Sequence, residues 1–149
     1  MRETHRISRS LLLILIPALQ LACGGSNEPS GSPYAGSYVA TSWTTTGNSG
    51  HQDQLLAGST LQITLAPNGT TTGHLHVAAS GANPVFDADM AGTWTVNANV
   101  VDIAQAADTF VKDMLFTVGS NIQGIITLTG DQTFSGTRIQ ITLTRGGEI

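Results

Sequence analysis

The sequence contains little of several residue types that decide the class of a protein. Its only cysteine is Cys23, so no disulfide can form within the chain and the fold must be held by its core. Charged residues make up 11% of the chain and aromatic residues 5%. Thr, Ser, Gly and Asn supply the polar surface instead, a composition that suits a β-rich domain outside the cytoplasm.

Basic residues are scarce as well. From Cys23 onward the chain has three basic and nine acidic residues, a formal charge of −6, whereas the whole chain carries −4. Nucleic-acid binding requires a basic stripe, and attraction to anionic lipid headgroups requires a basic patch. We therefore expect no nucleic acid and no electrostatic binding of headgroups.

The sequence also lacks the motifs of common catalytic sites. No Gly-x-Ser-x-Gly sequence places a nucleophile, and no Gly-rich loop opens a helix to hold phosphate. We therefore expect a protein that is not an enzyme and that uses no organic cofactor.

The N-terminal segment indicates where in the cell the protein is located. Basic residues precede a short apolar run, 11–19, which falls short of the roughly 20 residues that a membrane-spanning helix needs. Ala22 stands directly before Cys23, and Gly24 follows it. This layout resembles the signal peptide of bacterial lipoproteins, although Gln20 stands where that family has an aliphatic residue.

The lipoprotein resemblance implies that residues 1–22 are a signal peptide and that Cys23, once lipidated, anchors the mature protein in a membrane. Because Gly24 rather than Asp follows the cysteine, it also implies the outer membrane in a host that has one. The alternatives are an ordinary secretory signal peptide cleaved nearby and an N-terminal anchor that is not cleaved. Residues 23–33 are rich in Gly, Ser and Pro and predict a flexible tether, with a reach of roughly 17 Å.

Residues 34–149 form the predicted domain, in which apolar and polar side chains alternate with the period of a β-strand. Residues 60–65 are one example, and Pro67-Asn68-Gly69 is typical of the tight turns between such segments. No amphipathic helix of ordinary length is present. About eight hairpin-linked strands predict an all-β fold, for which we favour an antiparallel up-and-down barrel over a β-sandwich, because a barrel leaves no exposed edge.

The first predicted strand opens with Gly36-Ser37-Tyr38, which is similar to the Gly-x-Trp motif of lipocalin-like (calycin) barrels. In that family an Arg near the C-terminal end packs over the aromatic ring and closes the barrel floor. The resemblance implies an eight-stranded barrel that holds a small apolar ligand. It also implies that Tyr38 meets Arg145, or less readily Arg138, at the floor.

Four residues are candidate ligand contacts: Trp94, Lys112, Met114 and Phe116. Met114 and Phe116 share one face of a predicted strand, and Lys112 shares it too unless the register breaks near Phe110. An inward Lys112 would anchor a ligand carboxylate, whereas a Lys at the strand end would reach solvent. The inward side chains of a small barrel either pack solid or line a pocket.

His74 and His76 project from one face of a predicted strand, where two imidazoles can bind one zinc ion. A zinc site needs further ligands, for which the nearby candidates are His51, Asp53, Asp87 and Asp89. Asp87 and Asp89 also form a carboxylate pair of the kind that binds calcium or acts as acid and base. The alternative is that these side chains are simply solvated.

These features predict a lipid-anchored protein of the cell envelope that binds a small apolar ligand. The alternative function is a structural or protein-interaction module of the envelope. Such a module would act through the Ser42–Gly58 segment and the 80–90 loop.

Overall fold

The computed structural model describes residues 32–81 and 83–146. The predicted signal peptide, Cys23 and most of the predicted tether lie outside these residues. The described part contains no helix of the length and apolarity needed to cross a membrane. Its ten strands are β1 (Gly36–Gly47), β2 (Gly50–Asp53), β3 (Thr60–Leu65), β4 (Thr70–Val77), β5 (Phe86–Asp89), β6 (Gly92–Asn97), β7 (Val100–Gln105), β8 (Met114–Ser120), β9 (Ile126–Phe134) and β10 (Thr137–Arg145).

Eight of the strands form a closed antiparallel barrel. Their order around the wall is β1, β3, β4, β6, β7, β8, β9 and β10, and β10 pairs back onto β1. The short strands β2 and β5 pair with the second halves of β1 and β4. The predicted all-β, eight-stranded barrel is therefore confirmed, with two additional strands, and the β-sandwich alternative does not hold.

The turn between β3 and β4 follows from its local sequence. Gly69 has a φ of 83°, a conformation that costs glycine little. The Asn68 side-chain oxygen accepts hydrogen bonds from the Thr70 backbone N–H at 3.1 Å and from its hydroxyl at 2.7 Å. Asn, Gly and Thr thus favour the hairpin locally, and the backbone N–H of Trp94 adds a hydrogen bond to the Gly69 carbonyl at 2.9 Å.

A β-bulge in β1 decides which of its side chains enter the barrel. The register of β1 against β10 shifts between Ala40 and Ser42, so that Thr41 is an extra residue in the strand. Strict alternation would place Tyr38 and Trp43 on opposite faces of the wall. With the bulge, both side chains point inward, and their exposed fractions are 0% and 2%.

One end of the barrel is packed solid, and we call it the closed end. The chain enters β1 and leaves β10 there, and the β3–β4, β6–β7 and β8–β9 turns lie there too. The Tyr38 hydroxyl donates to the Tyr34 carbonyl at 2.7 Å, and Trp94 Nε1 donates to the Ala66 carbonyl at 2.8 Å. Both large aromatic side chains are therefore buried with their polar atoms satisfied.

Four connections form the opposite, open end. They are the β1–β2 and β9–β10 turns, the β4–β5 connection and the segment 106–113 between β7 and β8. Every barrel strand sends at least one fully buried apolar side chain into the core between the two ends. The core therefore runs from the closed end up to the segment 106–113, whose Val111 is fully buried.

Candidate ligand cavity

A cavity of about 440 Å³ lies at the open end of the barrel. Side chains of β1, β4, β5 and β10 and of the segment 106–113 form its walls. Small-ligand sites in proteins occupy about 300–1,000 Å³ and are mostly apolar. The volume of this cavity lies in that range. The larger apolar side chains in its lining are Trp43, Leu75, Val77, Phe86, Phe110, Phe134 and Ile139.

Trp43 and Phe110 form the most buried aromatic part of this lining. Their ring centroids are 5.1 Å apart and their planes are inclined by 42°, within the range that favours aromatic pairs. Trp43 is 2% exposed and Phe110 is 6% exposed. The buried indole Nε1 of Trp43 finds no hydrogen-bond acceptor among residues 32–81 and 83–146.

Gln54 provides a buried polar side chain in the lining, where the chain passes from β2 to β3. Its amide nitrogen donates to the Thr45 hydroxyl at 2.8 Å, and its amide oxygen accepts from the Ser59 hydroxyl at 3.2 Å. Ser59 in turn accepts from the Ala78 backbone N–H at 2.9 Å. The Gln54 amide thus forms hydrogen bonds within the protein through its nitrogen and its oxygen, and these bonds stabilise the cavity wall.

The segment 106–113 folds inward at the open end and carries Phe110 into the cavity wall. The Gln132 side chain donates a hydrogen bond to the Phe110 carbonyl. Asp113 ends the segment with a φ of 59°, a left-handed conformation that Asp adopts more readily than most residues. This turn separates the segment from β8, whose first residue, Met114, points into the core.

The cavity has almost no charge. Within the described residues, Asp108 is the one ionisable side chain in its lining, and it lies at the rim with 86% of its side chain exposed. Lys112 Nζ lies 3.6 Å from the Asp108 carboxylate, also close to solvent. The interior of the cavity therefore offers no counter-charge to an ionised ligand.

The residues proposed from the sequence as ligand contacts lie elsewhere. Trp94 belongs to the closed end, and Met114 and Phe116 are fully buried in the core. Lys112 precedes β8, outside the cavity lining, with 41% of its side chain exposed. The register break near Phe110 is present, so Lys112 does not share the inward face of Met114 and Phe116.

The structure places Tyr38 and Arg145 directly opposite each other on β1 and β10 at the closed end. Arg145 Nη1 donates to the Pro33 carbonyl at 2.8 Å. A Cβ atom at Gly36 would lie 2.6 Å from Arg145 Nε, so a side chain at position 36 would displace this guanidinium. Burial raises the pKa of the Tyr38 hydroxyl, and the positive charge of Arg145 partly opposes that rise.

Arg138, the other candidate for barrel closure, lies far along β10 from that end. Its Nε and Nη2 donate to the two carboxylate oxygens of Asp131 at 3.0 and 2.5 Å. This pairing holds the pKa of Asp131 below its ordinary value. Arg138 is thus part of the outer wall between β9 and β10.

His74, His76, Asp87 and Asp89 meet on the outer wall, because β5 pairs with the second half of β4. The Asp87 oxygen Oδ1 lies 3.1 Å from His74 Nε2 and 2.8 Å from His76 Nδ1, and Asp89 lies 3.7 Å from His74 Nδ1. The hydrogen bond from His76 is the main reason why the pKa of Asp87 is lowered.

Among the described residues, no group of three or more such side chains has the arrangement of a metal site. Zinc binding by His74 and His76 therefore stays a prediction. The four side chains connect β5 to β4. They hold in place the strand that carries Phe86 to the rim of the cavity.

A larger groove of about 710 Å³ lies near the closed end, but it runs along the outside of the wall. Its lining includes Ser37, Val39, Gln62 and Thr64, which alternate with the inward side chains of β1 and β3. The described residues that line this groove include no aromatic side chain, so the aromatic-lined cavity at the open end is the better candidate site.

Sequence reasoning missed Trp43, Gln54 and Phe110 as parts of the site. The position of Trp43 carried a usable signal, because an outward Trp on a strand of Ser and Thr would be an unusual exposure of a large apolar side chain. Inward placement of both Tyr38 and Trp43 requires a bulge between them. Gln54 and Phe110 lie outside the strands, where no alternation marks them.

Comparison with known proteins finds no match: no family model, no curated protein and no solved structure is significantly similar to this chain.

Proposed function

We propose that this protein binds one small, mainly apolar molecule in the cavity at the open end of the barrel. The observation that carries the proposal is an aromatic-lined cavity of about 440 Å³ above a solid core. Phe86 and Phe134, which are 46% and 37% exposed, continue the apolar surface to the rim. Exposed aromatic side chains at a rim favour the approach of an apolar molecule.

The proposal includes attachment to a membrane of the cell envelope through a lipidated Cys23. It is supported by the basic start of the chain, the short apolar run and the Ala22-Cys23-Gly24 sequence. The resemblance to lipoprotein signal peptides carries this part, and the outer membrane is proposed for a host that has one. The binding function does not depend on it.

Native mass spectrometry of the protein, extracted from its host membrane in mild detergent, tests the binding function. We expect additional mass that is lost on denaturation. Val77 lines the cavity, so Val77→Trp fills it and should abolish the additional mass. Thr129→Trp adds the same side chain at an exposed position of β9 and should leave the mass unchanged.

A ligand-free mass, together with no binding of the neutral dye N-phenyl-1-naphthylamine, would contradict the proposal. The same dye retained equally by both tryptophan variants would place binding outside this cavity.

A second candidate function is a structural or protein-interaction module of the cell envelope that acts through its loops. Leu56 and Val85 are 88% and 51% exposed, and they lie in the two segments that the sequence suggested as contact surfaces. Within the first segment, residues 42–47 and 50–53 belong to β1 and β2 rather than to a loop. Crosslinking from Leu56 or Val85 to an envelope protein on intact cells would favour this function.

A further inference from the structure

The polar groups of the cavity indicate which chemical class of ligand it takes, provided that the proposed function holds. We infer that the ligand is an uncharged, planar apolar molecule with a hydrogen-bond acceptor, such as a ketone oxygen, that accepts the indole N–H of Trp43.

The absence of counter-charge in the lining favours an uncharged ligand. Asp108 is the only ionisable side chain among the described lining residues, and it is exposed at the rim beside Lys112. An ionised group inside the cavity would lose its hydration without gaining an opposite charge, which is strongly unfavourable. A cation would have to remain at the rim, and an anion would meet the Asp108 carboxylate there.

The hydrogen-bond donor is Trp43 Nε1. The two Trp residues of the chain differ in this respect, because Trp94 donates to the Ala66 carbonyl whereas Trp43 has no acceptor among the described residues. Buried donors without a protein acceptor are uncommon and unfavourable. Trp43 is 2% exposed and belongs to the cavity lining, and its Nε1 is itself buried, so a ligand acceptor completes this bond once the side chains around the indole edge shift to admit it.

The neighbouring Gln54 side chain differs from Trp43, because its amide already makes hydrogen bonds within the protein. Both ends of the Gln54 amide are already bonded, the nitrogen to Thr45 and the oxygen to Ser59. The tilted pair of Trp43 and Phe110 offers aromatic surface beside the free donor. Aromatic walls pack well against a planar ring system.

A matched pair of small molecules tests this inference. 2-Acetylnaphthalene carries a ketone acceptor, and 2-ethylnaphthalene has nearly the same shape without one. Trp43→Phe keeps an aromatic ring and removes the N–H, so it should weaken 2-acetylnaphthalene binding about fivefold, the factor for one net hydrogen bond. Binding of 2-ethylnaphthalene should change by less than about twofold.

Equilibrium dialysis with the full protein gives both dissociation constants. Trp94→Phe is the matched control, because it removes the other indole N–H at the closed end and should leave the ratio of the two constants unchanged. Equal weakening of both molecules by Trp43→Phe would overturn the inference while leaving the proposed function intact. If neither molecule binds the unaltered protein, the proposed function fails, and the inference fails with it.

Two further measurements use the unaltered protein and do not depend on the folding of a variant. In ¹⁵N-labelled protein, 2-acetylnaphthalene should move the indole N–H signal of Trp43 downfield, whereas 2-ethylnaphthalene should not and the Trp94 signal should stay in place. An unmoved Trp43 signal at saturation would overturn the inference. Tighter binding of 2-naphthoate than of 2-acetylnaphthalene would overturn the inference that the ligand is uncharged.

Discussion

Gly73 is the position where a single added methyl group should damage the barrel wall most. It lies in β4 opposite Ile63 of β3, between the part of β4 that pairs with β6 and the part that pairs with β5. Its φ is 142°, and a Cβ atom there would lie 2.1 Å from the Gln62 carbonyl oxygen and 2.8 Å from the Ile63 Cα. Both obstacles are backbone atoms, so they cannot move aside as a flexible side chain can.

Two separable costs set the magnitude for Gly73→Ala. Holding an L-residue in this sparsely populated conformation costs about 1–3 kcal/mol. Displacing the β3 backbone adds about 1–3 kcal/mol, as for other overpacked sites. We therefore expect the free energy of unfolding to fall by about 4 kcal/mol in Gly73→Ala.

Gly50→Ala separates the two costs. Gly50 has a φ of 97°, but nothing lies within 4 Å of the place where its Cβ would stand. This variant should therefore show the conformational cost alone, about 1–3 kcal/mol. Urea unfolding followed by tryptophan fluorescence measures both variants against the unaltered protein. Equal losses in the two variants would refute the conclusion that β3 blocks a side chain at position 73.

Three further predictions concern the outer wall, the anchor and the metal. The hydrogen bond from His76 lowers the pKa of Asp87, so the contribution of this carboxylate to stability is complete above its ordinary pKa of 3.8 and is lost as the pH falls through the lowered value. Asp87→Asn should therefore make the loss of unfolding free energy below about pH 4 shallower in urea titrations. Cys23→Ser should move the protein from the membrane fraction to the soluble fraction of the host and abolish labelling with a fatty-acid analogue. If His74 and His76 hold zinc, calorimetric titration gives heat that His74→Ala abolishes.

Each of these predictions has an outcome that contradicts it. Asp102→Asn, at an exposed position of β7, is the control for the pH series. If the unfolding free energy falls equally below about pH 4 in both Asn variants, Asp87 does not cause the fall. Membrane retention of Cys23→Ser would favour an uncleaved N-terminal segment over a lipid anchor. No heat from zinc with the unaltered protein would end the metal prediction.

The strands could be predicted from the sequence because alternation records which face of a strand is buried. In β3, the buried face is marked by Leu61, Ile63 and Leu65. The turn at Asn68-Gly69 follows from side-chain chemistry within four residues. Closure of the barrel followed from the need to pair every edge. The positions of Tyr38 and Arg145 followed from a resemblance, not from alternation.

The cavity could not be predicted in the same way, because its residues depend on breaks in the regular pattern. The extra residue Thr41 turns Trp43 inward, and the left-handed Asp113 separates Lys112 from the inward face of β8. Phe110 reaches the cavity through an irregular segment held by the Gln132 side chain. Such breaks are decided by contacts between distant strands, which a single sequence does not display.

The start of β1 and the end of β10 lie together at the closed end, and this has a practical consequence. Tyr38 and Arg145 face each other, and the Gly146 N–H donates to the Ser37 carbonyl at 2.9 Å, so the chain arrives and departs side by side. The cavity opens at the far end of the barrel. A reporter fusion or a surface linkage attached at either flank should therefore leave the mouth unobstructed, which suits the domain to use as an oriented sensor.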